Sequence, residues 1–127
     1  LVANRTVDKA QSLAAHFDSL GNIAGCSYDG LAGGQFDLII NGTSASMSGD
    51  LPPLPHHILS TEACAYDMMY GPEPTPFMRW AAGETAWAVS DGLGMLVEQA
   101  AESFCIWRGV RPDTKPVIEL VRQSLSA

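Results

Sequence analysis

The chain has 127 residues, of which 46% are hydrophobic and 17% are charged, and its formal net charge is −7. This balance is typical of a folded globular domain and excludes an intrinsically disordered chain. Seven Lys and Arg residues against fourteen Asp and Glu leave no basic surface for a nucleic acid or an anionic membrane. No apolar run approaches the roughly 20 residues that span a bilayer. Three widely spaced cysteines predict reduced thiols in a cytoplasmic protein.

The first half of the chain predicts the end of a buried strand at 1–6, which enters a helix, and two further strands. Apolar residues recur at helical spacing over 7–17, with Thr6 as a suitable N-cap. A short strand is predicted at 23–27. The nearly continuous apolar run at 36–41 is typical of a parallel strand that is covered on both faces. A loop of small residues, 42–49, follows at the carboxyl end of this strand.

The second half begins with a proline-rich segment at 51–55 and a short helical turn through residue 59. Strands and helices then alternate as in the first half. The predicted elements are strands at 64–68 and 87–89 and helices at 77–82, 93–107 and 116–125. Residues expected in the core are Trp80, Trp87, Trp107, Leu93, Val97, Ala100 and Phe104. Alternating strands and helices predict an α/β fold with a parallel sheet, in which ligands bind beyond the carboxyl ends of the strands.

A polar and basic segment stands where dinucleotide-binding folds contact the adenosine ribose. An acidic residue at the end of the second strand usually holds the ribose 2'-hydroxyl and selects NAD, whereas this chain has Asn4. Arg5 and Lys9 near a helix N-terminus suit a 2'-phosphate, and therefore NADP, and Thr6 can add its hydroxyl. On these residues alone, an ordinary helix start with solvated basic side chains remains an open alternative.

Blocks of sequence over almost the whole chain resemble the shikimate dehydrogenases, in the same order. They are NRTVDKA at 4–10 (NRTxxKA in the family), FDLIINGTS at 36–44 (FDLIINATS), YDMMY at 66–70 (YDMxY), TPF at 75–77, and DGLGMLVEQAA at 91–101 (DGLGMLVxQAA). One departure is Gly42, where the family commonly has Ala. The resemblance implies a Rossmann-like NADP-binding domain with a parallel sheet that lacks its first strand and its glycine-rich loop.

The resemblance also implies the roles of particular residues. The implied cofactor-binding residues are Asn4, Arg5, Thr6, Lys9, Thr43, Ser44, Met68 and Gly92. At Gly92 a bare backbone would let the nicotinamide approach closely. Tyr70 and Gln99 would hydrogen-bond shikimate, although on the residues alone Tyr70 also fits a loop aromatic and Gln99 a solvated helix position. No metal site is expected, because His56 and His57 have no acidic or cysteine partner at ligand spacing.

The expected function follows from the same resemblance. Residues 1–127 are interpreted as an incomplete C-terminal NADP-binding domain, without the catalytic substrate domain that carries the family's Lys and Asp pair. No catalytic residue is therefore assigned. The parent enzyme is expected to be an NADP-dependent shikimate dehydrogenase, which reversibly reduces 3-dehydroshikimate in aromatic amino acid biosynthesis. A broader quinate/shikimate dehydrogenase and a non-catalytic NADP-binding fragment are the alternatives. The chain's partners would be the small-molecule substrate and the N-terminal half of the same protein.

Overall fold

The computed structural model describes residues 1–126, which form an α/β fold with parallel strands, as predicted. The strands are β1 (Val2–Ala3), β2 (Gly25–Cys26), β3 (Phe36–Asn41), β4 (Leu59–Asp67) and β5 (Ala88–Ser90). The helices are α1 (Val7–His16), α2 (Pro76–Gly83), α3 (Leu93–Arg108) and α4 (Lys115–Leu125). Within these residues no helix has the length and apolar character needed to cross a membrane.

The strands form two sheets, one with the order β1-β2 and the other with the order β3-β4-β5. A cavity of about 130 Å³ between them is lined by Leu1 and Ala3 on one side and by Leu38 and Ile40 on the other. In the Rossmann strand order 3-2-1-4-5-6, β1 and β2 take the second and third places, and β3 to β5 take the fourth to sixth. The place of the first strand therefore lies between the two sheets, and no strand of residues 1–126 fills it.

The prediction that β3 is covered on both faces is wrong for the described part of the chain. Ile39 packs against a core cluster of Ala65, Phe77 and Ala81. Its neighbours Leu38 and Ile40 point to the other face, and they are 55% and 57% exposed. The apolar sequence of β3 thus indicates that both of its faces are suited to burial. It does not indicate which residues pack against each face.

The predicted core is correct only in part. Leu93 and Val97 are buried, and Ala101 is buried in place of Ala100. Phe104 is 45% exposed, because the side of α3 on which it lies has no covering element among residues 1–126.

Of the three tryptophans predicted in the core, one is partly buried and two are exposed. Trp80 is partly buried and packs against Phe77, with 5.5 Å between the ring centroids. Trp87 and Trp107 are 74% and 77% exposed, so their assignment to the core is wrong. Trp87 directly precedes β5 and Trp107 lies in the last turn of α3, and no described neighbour covers either of them.

Two local predictions also need correction. Residue 59 does not end a helical turn, because Leu59 is the first residue of β4 and polar positions Thr61 and Glu62 lie within that strand. Thr6 precedes α1, but its side chain makes no capping hydrogen bond. Instead its backbone N–H donates to Asn4 Oδ1 at 2.8 Å, so Asn4 shapes the entry to the helix.

Candidate functional site

Two buried polar residues end adjacent strands at the carboxyl edge of the sheet. Asn41 ends β3 and Asp67 ends β4, and the two are paired in register. Only 5% of Asn41 and 0% of Asp67 are exposed. Asn41 Nδ2 donates to Asp67 Oδ1 at 3.2 Å. Because buried polar groups are stable only when they are hydrogen-bonded, this pair fixes how the two strands end.

The hydrogen bonds of this pair extend into the two loops that follow β3 and β4. Asn41 Oδ1 accepts bonds from the backbone N–H and the hydroxyl of Thr43, at 3.1 and 2.8 Å. Asp67 accepts bonds from the Met69 N–H at 3.0 Å and from the Thr75 hydroxyl at 2.6 Å. Sequence reasoning missed Asn41 and Asp67 as organisers of the site. The signal that could have found them is a polar residue directly at the end of an apolar strand.

Arg5 and Lys9 are exposed cations at the N-terminal end of α1. Neither forms an ion pair within the described residues, whereas Arg111 and Arg122 both do. The first N–H groups of a helix and its dipole favour an anion at this end. Two cations without acidic partners add to that preference.

A cleft of about 790 Å³ opens beside this helix end and continues into the space between the two sheets, since Leu1, Ala3 and Ile40 line both. It brings together four of the predicted cofactor-binding residues, namely Asn4, Arg5, Thr43 and Ser44. Thr6 and Lys9 do not line it and lie exposed on the adjoining turn of α1. Tyr28 and Asp50 also line the cleft and were missed, because they lie in loops without a recognisable local motif.

Met68 and Gly92 meet where β4 and β5 end. A Cβ atom on Gly92 would lie 2.0 Å from the Met68 carbonyl oxygen, so only glycine fits. The Gly92 N–H donates to the Met69 carbonyl at 3.0 Å, and the Met68 N–H donates to the Asn41 carbonyl at 3.0 Å. The Met68 side chain is 43% exposed and can still contact a ligand. The glycine is therefore required by the contact between the two loops, whether or not a ligand is bound.

Gly42, the departure from the family pattern, also lies against Met68. A Cβ atom at this position would come within 3.1 Å of Met68 Sδ. The usual Ala would thus require a small movement of a flexible thioether, and the glycine gives Met68 slightly more room.

Tyr70 and Gln99 do not line the cleft at Asn4 and Thr43. Tyr70 is 37% exposed in the loop after β4, and Gln99 is exposed on α3. In residues 1–126 neither side chain makes a hydrogen bond, so both polar ends are available to a ligand.

His56 has an acidic partner in the fold, Glu84, which lies 28 residues away in the sequence and therefore does not stand at ligand spacing. Its Nδ1 atom lies 2.6 Å from Glu84 Oε1, and the His57 backbone N–H donates to Glu84 Oε2 at 2.6 Å. The His56 hydrogen bond, followed by that of His57, lowers the pKa of the Glu84 carboxyl. The described residues contain no group of three or more His, Cys, Asp or Glu side chains that could hold a metal ion.

Comparisons with known proteins agree with the sequence motifs. A family model for the shikimate 5'-dehydrogenase C-terminal domain matches residues 92–122. The chain is 55% identical to the shikimate dehydrogenase (NADP(+)) of Saccharophagus degradans, over 98% of this chain and 47% of that protein. It is similar in structure to an Ael1 enzyme from Pseudomonas putida, with a TM-score of 0.81 and 44% identity over 98% of this chain and 44% of the other.

A further structural match is the shikimate 5-dehydrogenase of Thermus thermophilus in complex with NADP(H) and shikimate. Its TM-score is 0.79 at 30% identity, over 98% of this chain and 45% of that protein. The chain thus spans about half the length of the relatives that it matches. The resemblance drawn from the motifs is confirmed over almost the whole chain.

Proposed function

We propose that this chain is the NADP-binding part of an NADP-dependent shikimate dehydrogenase. The full enzyme would catalyse the reversible reduction of 3-dehydroshikimate to shikimate in aromatic amino acid biosynthesis. The observation that carries the proposal is the cleft at the carboxyl edge of the strands. Arg5, which has no acidic partner among the described residues, lines this cleft together with Asn4, Thr43 and Ser44. The similarity to relatives named shikimate dehydrogenase (NADP(+)) supports it.

In this proposal each end of the cofactor has its own contacts. Arg5 and Lys9 bind the adenosine 2'-phosphate as cations, and Asn4 and Thr6 add polar contacts. Thr43 and Ser44 line the passage of the cofactor past the sheet. When bound, the cofactor supplies the hydride. The fit is supported by Arg5 and Lys9 at the N-terminus of α1, which form no ion pair in the described part of the chain, and by Asn4 at a position where NAD-binding folds have an acidic residue.

The substrate side of the site depends on both loops beyond β4 and β5. Met68 and Gly92 form the surface against which the nicotinamide rests, and Tyr70 and Gln99 orient shikimate by hydrogen bonds. Residues 1–127 form the NADP-binding domain, and the catalytic acid/base pair belongs to the half of the relatives that this chain does not cover. A cytoplasmic location is part of the proposal, supported by three cysteines that form no disulfide.

The test is an activity assay on the full-length protein that contains this chain. We expect shikimate-dependent reduction of NADP, with a higher kcat/KM for NADP than for NAD and for shikimate than for quinate. Absence of shikimate-dependent turnover would contradict the proposed function. Turnover of quinate with equal kcat/KM would favour a broader quinate/shikimate dehydrogenase, and NADP binding without any turnover would favour a non-catalytic module.

The role of Arg5 can be tested in the same assay. Arg5→Ala should raise the KM for NADP by roughly 10- to 100-fold, because hydrogen bonds between charged groups contribute about 1.5–3 kcal/mol. The KM for shikimate should change little. Arg108→Ala, which removes an exposed arginine at the end of α3, is the matched control and should affect neither constant. Equal increases of both KM values in Arg5→Ala would count against the assignment.

A further inference from the structure

An arginine of the last helix reaches the loop that carries Gly92. Arg122 of α4 forms a bidentate ion pair with Asp91, with Nη1–Oδ2 and Nη2–Oδ1 distances of 2.6 and 2.7 Å. Asp91 is only 8% exposed and immediately precedes Gly92. A bidentate guanidinium–carboxylate pair fixes orientation as well as distance. The position of the Gly92 backbone is therefore coupled to α4.

The same two side chains also touch the neighbouring elements. Asp91 Oδ1 accepts a bond from the Leu93 N–H at 3.3 Å, at the start of α3. Arg122 Nη1 has a second, longer contact with the Gly71 carbonyl at 3.4 Å. Gly71 follows Tyr70, so one guanidinium contacts both loops that the proposed function assigns to nicotinamide and substrate.

Core packing explains only part of this arrangement. Ile118, Val121 and Leu125 of the amphipathic helix α4 are half-buried, and none of its residues is fully buried. The Arg122 side chain itself is 43% exposed, while that of Asp91 is 8% exposed. Removing the cation would leave a nearly buried carboxylate without its charge partner, which is unfavourable enough to displace the loop toward water.

We propose that Arg122 is a positioning residue that holds the Asp91–Gly92 loop against the Met68–Gly71 loop. Arg122 does not line the cleft at Asn4 and Arg5, and it acts through Asp91 and the Gly71 carbonyl. The hydrogen bond from the Gly92 N–H to the Met69 carbonyl, at 3.0 Å, is the contact that this clamp keeps closed. An effect of Arg122 on kcat is expected only if the proposed function is correct. The contact between the two loops does not depend on that function.

The clamp can be tested with Arg122→Gln in the full-length protein. We expect the kcat for shikimate oxidation to fall on the order of tenfold, because small misplacements of reacting groups are costly. The KM for NADP should change by less than about threefold, because the 2'-phosphate end of the cofactor is held elsewhere. Arg122→Lys should recover part of the kcat. Arg111→Gln is the matched control, since Arg111 pairs with Glu98 and Glu102 near the α3–α4 junction and does not touch Asp91.

Hydrogen exchange separates this proposal from the proposed function. The Gly92 amide should exchange on the order of tenfold faster in Arg122→Gln than in the wild type, and at the wild-type rate in Arg111→Gln. If the full-length wild type has no dehydrogenase activity, the proposed function fails, and the exchange rate of Gly92 still decides whether the clamp exists. The proposal would be overturned if the Gly92 amide of Arg122→Gln exchanged at the wild-type rate. It would also be overturned if Arg122→Gln had a lower Tm but the wild-type kcat per folded molecule.

Discussion

Position 92 requires glycine because the Met68 backbone leaves no room for a Cβ atom. The resemblance predicts that this glycine lets the nicotinamide approach closely. The structure shows a different constraint, because a Cβ at Gly92 would lie 2.0 Å from the Met68 carbonyl oxygen. A contact between two loops has no signature in the local sequence of either.

Gly92→Ala should damage both activity and stability. The substitution forces the two loops apart, and we expect a loss of about 1–3 kcal/mol in the free energy of unfolding, as for other overpacked sites. The kcat should fall by at least roughly tenfold, because the surface that we propose for the nicotinamide would move. Activity and thermal unfolding of the full-length protein are the measurements. Gly94→Ala is the control, because no atom lies within 4 Å of a Cβ there; similar effects of the two substitutions would contradict this account.

At the level of elements, the periodic helices were the most predictable parts of the chain. The predicted helices at 7–17 and 93–107 correspond to α1 and α3 with one residue of difference at one end. β4 is the contrast, since the structure extends it back to Leu59 through Thr61 and Glu62. Glu62 has a φ of +63° and lies where the pairing register with β3 shifts. A shift of register depends on how β4 pairs with β3, so the apolar pattern of β4 alone could not predict where this strand begins.

Acid should release α4 from the rest of the domain. Burial alone would raise the pKa of Asp91, but hydrogen bonds from Arg122 and the Leu93 N–H outweigh it, and the pKa lies below its ordinary value. Because this pKa is lower in the folded than in the unfolded state, the stabilisation is complete above the ordinary value of about 4 and is lost as pH falls through the folded value.

We therefore expect the amides of α4 to lose exchange protection as the pH falls below about 4, the region in which a lowered aspartate pKa titrates. In Asp91→Asn this protection should be weaker already at pH 7 and should depend less on pH. Hydrogen exchange between pH 3 and 7 is the measurement. The same pH dependence in Asp91→Asn as in the wild type would show that other carboxylates hold the helix.

At the scale of the molecule, the open space between β1 and β3 leaves apolar surface uncovered. Leu38 and Ile40 are more than half exposed on the sheet face beside it. Exposed strand edges and apolar faces of this kind favour association with other chains. Residues 1–127 expressed alone should therefore unfold with a broad transition, bind a hydrophobic dye and aggregate.

The full-length protein is the control for that experiment, and it should unfold sharply and bind little dye. Intact mass and light scattering would establish the size of each species. A cooperative unfolding transition of the isolated 127 residues, without dye binding, would show that the two sheets are stable without a strand between them.

The α/β class, the order of the elements and the segments that carry the motifs were predictable from the sequence, because periodicity and short motifs are local properties of a chain. Which polar side chains contact each other became visible in the folded structure. The pairs Asn41–Asp67, His56–Glu84 and Asp91–Arg122 are separated by 26, 28 and 31 residues. Contacts across such separations depend on strand order and on the direction in which each loop leaves the sheet, and no local pattern contains that information.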